Sequence, residues 1–313
     1  MWWLTLRLQR AELILLGVAA IVLAVVLVAS ADAAAEQFRR YTNEQCPVPL
    51  TPNTQGGYCF VEPGAFYRFV DRLFPSLIFL PLAIALLLAL PLVMELHDRS
   101  YRLAWTQSVT RGGWARTRLG VILLVGLVAT ATSIVLVRWW LPGDYFWTNY
   151  RRFDLSGIVA FGWFTFATGL TLVVGTHVRR PLLSLAIATG VFVLARLIVF
   201  GEARPYLIPP RQMATNDPSQ LGQDVWVVND WYQRPDGTRL TQQQLFDSCQ
   251  EQGRTRVADW LGSCLDANGI DRHWEYQPES RFWPLQFVET GIFFAIGAAL
   301  IGWAVWYWLR RLE

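Results

Sequence analysis

Residues able to do chemistry are sparse in this chain, and they do not converge. The three histidines, His97, His177 and His273, are scattered. No HExxH or GxSxG arrangement accompanies them, so no catalytic residue is assigned and an enzyme is not expected. All 27 basic residues are arginine. A Walker A phosphate loop requires its lysine, so this chain cannot carry a standard one, and any ATP hydrolysis must come from elsewhere. The four cysteines fall in two close pairs, Cys46 with Cys59 and Cys249 with Cys264, and neither pair has metal-site spacing with histidine. Read as two disulfides, each closes a short loop worth about 3 kcal/mol of chain entropy; pairing across the two loops is the alternative. Finally, two ions interrupt apolar runs, Arg196 and Glu289. A lone charge at the bilayer centre costs roughly 3 kcal/mol or more. An ion pair between them removes that cost; separate snorkelling to the outer surface is the other solution.

The densest charge lies in ELHDRSYRLAWTQSVTRGGWARTRLG, from Glu95 to Gly120. It carries Arg99, Arg102, Arg111, Arg116 and Arg118 between two long apolar runs, and it is too short to be a domain. Its arginines alone are explained by the excess of basic residues in cytoplasmic loops.

The elements that must position these residues follow from the apolar runs. Hydrophobic residues make up 53% of the 313, and they gather into runs of about 20, the span of a bilayer. The fold class is an all-α polytopic membrane protein with six transmembrane helices. The spans are Ala11–Ala29, Phe74–Met94, Leu119–Val137, Leu155–Gly175, Leu182–Phe200 and Leu285–Leu309. Pro81 and Pro91 predict a bent second span, and Asp154 can cap the fourth. The first span also admits a signal-peptide reading, but it exceeds a usual apolar core of about 7–15 residues.

Residues 1–200 therefore hold spans one to five, with a polar loop at 32–73 and a cytoplasmic elbow at 95–118. Residues 201–283 form a small α+β extracytoplasmic domain, and 284–313 the last span and tail. Within the domain, DVWVVNDWYQ, RPDG and TRLT read as two strands around a turn. TQQQ opens a helix with Thr241 as N-cap and Gln244 reaching back; a second helix is expected over Arg256–Leu265. Arginines at both ends of the chain, in the elbow and at Arg179 and Arg180 place both termini in the cytoplasm. Both cysteine pairs then fall outside, where disulfides persist.

Several ordered stretches carry a resemblance. RLAWTQSVTR after the second span, FDLSGIV opening the fourth, ARLIVFGEARPYLIPP ending the fifth and YQPESRFWPLQFVETGIF leading into the sixth resemble permease subunits of the ABC type-2 exporter family, specifically a bacterial branch. Asp98-Arg99 departs from the small residue or glycine usual there. The resemblance implies a plasma-membrane permease whose elbow docks on a separate nucleotide-binding ATPase. Glu95, Arg99, Arg102, Trp105, Gln107, Thr110 and Arg111 would form that contact. It implies ATP and magnesium in the partner rather than in this chain, and a second permease copy, identical or related, in contact with membrane lipid. Net charge of +3 is too small to suggest a nucleic-acid partner. The rival reading is a membrane sensor or structural protein with a ligand-binding ectodomain and no ATPase.

Overall fold

The computed structural model describes residues 9–42, 77–98, 110–140, 153–155, 157–178, 180–222, 225–249 and 264–311. Six helices among them are long and apolar enough to cross a bilayer. They are α1 (Arg10–Thr42), α2 (Leu80–His97), α3 (Arg111–Trp140), α4 (Val159–His177), α5 (Pro181–Ile198) and α7 (Phe282–Arg311). A small antiparallel sheet lies between α5 and α7. Its strands are β1 (Arg211–Ala214), β2 (Val225–Gln233), β3 (Arg239–Leu240) and β4 (Asp271–Pro278), with a short helix α6 (Gln242–Cys249) after β3.

Several boundaries differ from the sequence reading. Helix α1 continues past Asp32 to Thr42, because Ala33, Ala34, Ala35 and Glu36 are strong helix formers and nothing there breaks the helix. Helix α3 begins at Arg111, so the last third of the expected elbow, 111–118, is helical; Thr110 caps it, its Oγ1 accepting from Gly113 N at 3.1 Å. Pro81 lies in the first turn of α2 and only Pro91 is interior, so Pro81 costs no backbone hydrogen bond. Pro181 likewise opens α5.

Helix α4 is the hub. It is buried along most of its length, and it packs on α7 through glycines. A Cβ added at Gly162 would stand 2.8 Å from Thr290 O, and one at Gly169 2.6 Å from Gly297 O. One at Gly297 would stand 2.5 Å from Phe166 N. Only glycine allows the two backbones this close, as at helix contacts in bilayers. The matched residue pairs rise together along both chains, so α4 and α7 run parallel. Trp140 at the end of α3 meets Ser30 in the second half of α1, and Val137 and Leu27, each three residues earlier, share the same cluster, so that pair is parallel too. Trp114 at the start of α3 meets Trp308 at the end of α7. The start of α1 and the end of α7 therefore lie on the same side of the bundle.

In α5 only Ser184, Ala188, Phe192 and Arg196 are buried, a ridge of residues four apart that faces the bundle. Its remaining faces expose large apolar side chains such as Leu182 and Leu194, as α7 exposes Phe294.

The sheet has strand order β1-β4-β2-β3, with an irregularity between Val227 and Asn229. Its β2–β3 turn is RPDG, where Gly237 takes φ +86 and Asp236 Oδ1 accepts from Thr238 N at 2.8 Å. Helix α6 opens with a reciprocal cap: Gln244 N donates to Thr241 Oγ1 at 3.3 Å and Thr241 N donates to Gln244 Oε1 at 3.0 Å. Leu240, Leu245, Cys264, Leu265 and Ile270 make a small core beneath the sheet. Strand β4 passes through one 3-10 turn directly into α7. Gln277 Nε2 donates to Pro205 O at 2.7 Å and to Ile208 O at 2.6 Å, fastening the sheet to the end of α5.

Candidate functional site

Two polar constructions sit at opposite ends of α4. Nineteen residues at about 1.5 Å rise each separate them by roughly 28 Å, close to the thickness of a bilayer core.

The first is a buried quartet of Asp154, Arg196, Arg204 and Glu289, all at 2% exposure or less. Arg204 Nη2 and Nη1 donate to Asp154 Oδ1 and Oδ2 at 2.6 and 3.1 Å. Its Nε donates to Glu289 Oε2 at 2.7 Å, and Nη2 lies 2.9 Å from Glu289 Oε1. Arg196 Nη2 contacts Asp154 Oδ1 at 2.8 Å, and its Nη1 lies 3.7 Å from Glu289 Oε1. The structure thus brings Arg196 and Glu289 together, but each has a tighter partner. Burial rules out separate snorkelling. Two cations and two anions balance, which is the condition for burying charge in an apolar surrounding.

Neighbouring side chains complete the arrangement. Trp163 Nε1 donates to Glu289 Oε1 at 2.9 Å, and its ring lies 4.5 Å from the Arg196 guanidinium carbon. Gln286 accepts from Val159 N at 2.9 Å and donates to Phe153 O at 2.6 Å. Gln286, not Asp154, therefore satisfies the start of α4. Asp154 is drawn away because two guanidinium groups attract a carboxylate more strongly than one backbone N–H does. Burial pushes the Asp154 carboxyl up, but Arg196 and Arg204 together outweigh it and hold the group below the usual carboxylate range.

A π turn, Val199–Ala203, lies between the two arginines. In an unbroken α-helix, residues eight apart sit about 80° out of line at 3.6 residues per turn. A π turn takes an extra residue and winds Arg204 back onto the face of Arg196.

The second construction ties the ends of four helices. Arg118 Nη2 pairs with Glu95 Oε2 at 2.8 Å, and Trp114 Nε1 donates to Glu95 Oε1 at 3.4 Å. The Trp114 ring meets Trp308 edge-on with centroids 5.9 Å apart. Trp308 Nε1 donates to Thr176 Oγ1 at 2.9 Å. Helices α2, α3, α7 and α4 are joined in that order. Nearby, the His177 and Tyr307 rings lie 4.9 Å apart.

Of the expected docking residues, Glu95 is engaged within the chain, and Thr110 and Arg111 open α3 at an exposed position. Arg99, Arg102, Trp105 and Gln107 lie outside the described residues, as do Cys46 and Cys59. So does most of the helix expected over Arg256–Leu265. Cys264 is fully buried and disulfide-bonded; the side chain of Cys249 lies outside those described. Asp154 was expected only as a helix cap, and Arg204, Trp163 and Gln286 were not singled out from sequence, nor were the contacts of Trp114, Trp308 and Thr176.

The family model for ABC-2 membrane transporter related proteins matches residues 13–204, more than half of the chain. The chain belongs to this family. The match runs from α1 to Arg204 and takes in both halves of α2 and α3 around the segment 99–109. An ABC-2 membrane component is a permease-type transport subunit rather than an enzyme. No curated protein and no solved structure matches.

Proposed function

We propose that the chain is the permease subunit of an ATP-driven exporter, worked by a separate ATPase that binds ATP and magnesium and docks on residues 95–111. Family membership supports this. The observation that carries the coupling is the brace at the root of that segment, Glu95–Arg118 with Trp114–Trp308. A push on the segment reaches α2 and α3 at once. Through Trp308 and Thr176 it also reaches α7 and α4, whose glycine contacts leave little room for sliding. Those two helices hold Glu289, Gln286 and Trp163, so the displacement arrives at the quartet. In this reading the quartet clamps the far end of the bundle, and a second permease copy completes the pathway.

The arginine distribution supports placing residues 95–111 in the cytoplasm, with both termini, and the sheet outside the plasma membrane. A disulfide between Cys249 and Cys264, and one between Cys46 and Cys59, suits that location.

Affinity capture of the intact protein tests the reading. An ATP-binding subunit should co-purify, and Arg102→Glu with Arg111→Glu should release it while the permease remains in the membrane. Capture of no ATPase, or capture unaffected by the double substitution, would count against it.

A further inference from the structure

Arg196 and Arg204 compete for the same oxygens. Asp154 Oδ1 lies 2.8 Å from Arg196 Nη2 and 2.6 Å from Arg204 Nη2. Glu289 Oε1 lies 3.7 Å from Arg196 Nη1 and 2.9 Å from Arg204 Nη2. Arg204 holds the closer place at both. Arg196 is left with two buried nitrogens, Nε and Nη1, that have no hydrogen-bond partner among the described residues. Buried donors are normally met. Those of Arg196 stand beside two carboxylates that another cation occupies.

The place of Arg204 depends on a thinly held piece of chain. Its N–H donates to Val199 O, closing the π turn. Pro205 follows, with no N–H to carry a helix further. The next turn is 3-10, closed by Leu207 N donating to Arg204 O at 3.2 Å. From outside, Gln277 fixes this stretch through its bonds to Pro205 O and Ile208 O. Arg281 Nη1 donates to Gln277 Oε1 at 3.1 Å and also to Pro209 O, which aims the amide nitrogen of Gln277 at those carbonyls. No residue of the π turn is buried, and a Cβ at Gly201 would meet nothing within 4 Å, so the turn can rewind without displacing a neighbour.

We propose that the end of α5 has two registers and that Gln277 selects between them. In the π register Arg204 fills the quartet. In the α register the turn Val199–Ala203 gives up its extra residue, and Arg204 swings by about 80°. That takes it off the narrow buried ridge of Ser184, Ala188, Phe192 and Arg196. Arg196 then turns its spare donors onto Asp154 and Glu289. One negative charge is left in excess among these buried groups, which keeps the α register the minor one. Its population rises when Gln277 lets go of Pro205 and Ile208. Gln277 lies on β4, which passes through one 3-10 turn into α7, so a load on the sheet acts on α5 and α7 together. The quartet is a clamp with a release, and the release is worked from the sheet. It needs the quartet and the sheet alone, and no docked ATPase.

The experiment is modification of arginine by p-hydroxyphenylglyoxal on the full-length protein in nanodiscs, with the modified residues located by mass spectrometry. Arg196 and Arg204 are both buried, so each reacts when its surroundings open. In the unaltered chain Arg204 should react at least about tenfold faster than Arg196, because it alone leaves in the minor register. Gln277→Leu, and Arg281→Met at a half-buried position, should each speed the reaction of Arg204 severalfold and leave Arg196 protected. Adding Arg196→Met to Gln277→Leu should return Arg204 to the unaltered rate, since no cation then remains to take its place. Equal rates for the two arginines in the unaltered chain overturn the proposal. So does a Gln277→Leu or Arg281→Met protein in which both arginines become reactive together, because the quartet then opens as one unit. Arg204 reacting no faster in either variant overturns the selection by Gln277. Arg204 equally reactive with and without Arg196 overturns the exchange.

Discussion

Arg204 grips Asp154 with two parallel hydrogen bonds, 2.6 and 3.1 Å, across fifty residues of sequence. The same guanidinium reaches Glu289 on α7. One side chain thus fastens the start of α4 to α7 from a position beyond the π turn of α5. Removing either partner leaves buried charge uncompensated. Arg204→Ala or Asp154→Asn should cost about 3–5 kcal/mol, read as a lowered thermal midpoint in detergent. Arg204→Lys should not rescue it, because an ammonium cannot reproduce the fork that serves two carboxylates.

The π turn gives a test that removes no charge. Deleting Gly201 should return Val199–Ala203 to α-helical winding and swing Arg204 off the face it shares with Arg196. The deletion should lower the midpoint about as much as Arg204→Ala does. Gly201→Ala should be nearly silent, since nothing stands within 4 Å of the added Cβ.

Asp154 also sets a pH dependence. Its carboxyl is held below the usual range, so its contribution is present above the unfolded value of about 3.9 and is lost only as pH falls through the lower folded value. The thermal midpoint should therefore show no loss attributable to this group between pH 8 and pH 5, and Asp154→Asn should lower the curve throughout that range. A gap between the wild-type and variant midpoints that closes as pH falls through 6 would contradict the charged state.

The α4–α7 contact predicts a contrast among glycines. Gly169→Ala and Gly297→Ala force backbone against backbone and should cost about 1–3 kcal/mol each. Gly291→Ala and Gly302→Ala meet open space and should leave the midpoint unchanged.

At the other end, Trp308→Phe keeps the ring contact with Trp114 but removes the hydrogen bond to Thr176. About 0.5–1.5 kcal/mol should be lost. If the brace transmits force, transport-coupled ATP hydrolysis in the reconstituted complex should fall well beyond what that loss of stability explains.

The helices were legible because apolar runs of bilayer length have few other uses, and the α6 cap because Thr241 and Gln244 stand at the spacing a capping box needs. Arg196 and Glu289 were visible as charges inside apolar runs. Asp154 and Arg204 were not, because both lie just beyond such runs, where charge is ordinary, and a π turn leaves no recognisable trace in GEARPYL. Glu202, two residues before Arg204, is a decoy of equal standing in sequence and is exposed in the structure. The Trp114–Trp308 contact joins residues almost two hundred positions apart, and tryptophans near span ends are common enough at interfaces to hide it.

Replacing Trp105 with a photoreactive phenylalanine analogue and irradiating native membranes tests the central claim most directly. A crosslink from position 105 to an ATP-binding protein is the expected result. Failure to capture any such protein, together with modification of position 105 by a membrane-impermeant reagent applied outside intact cells, would contradict it.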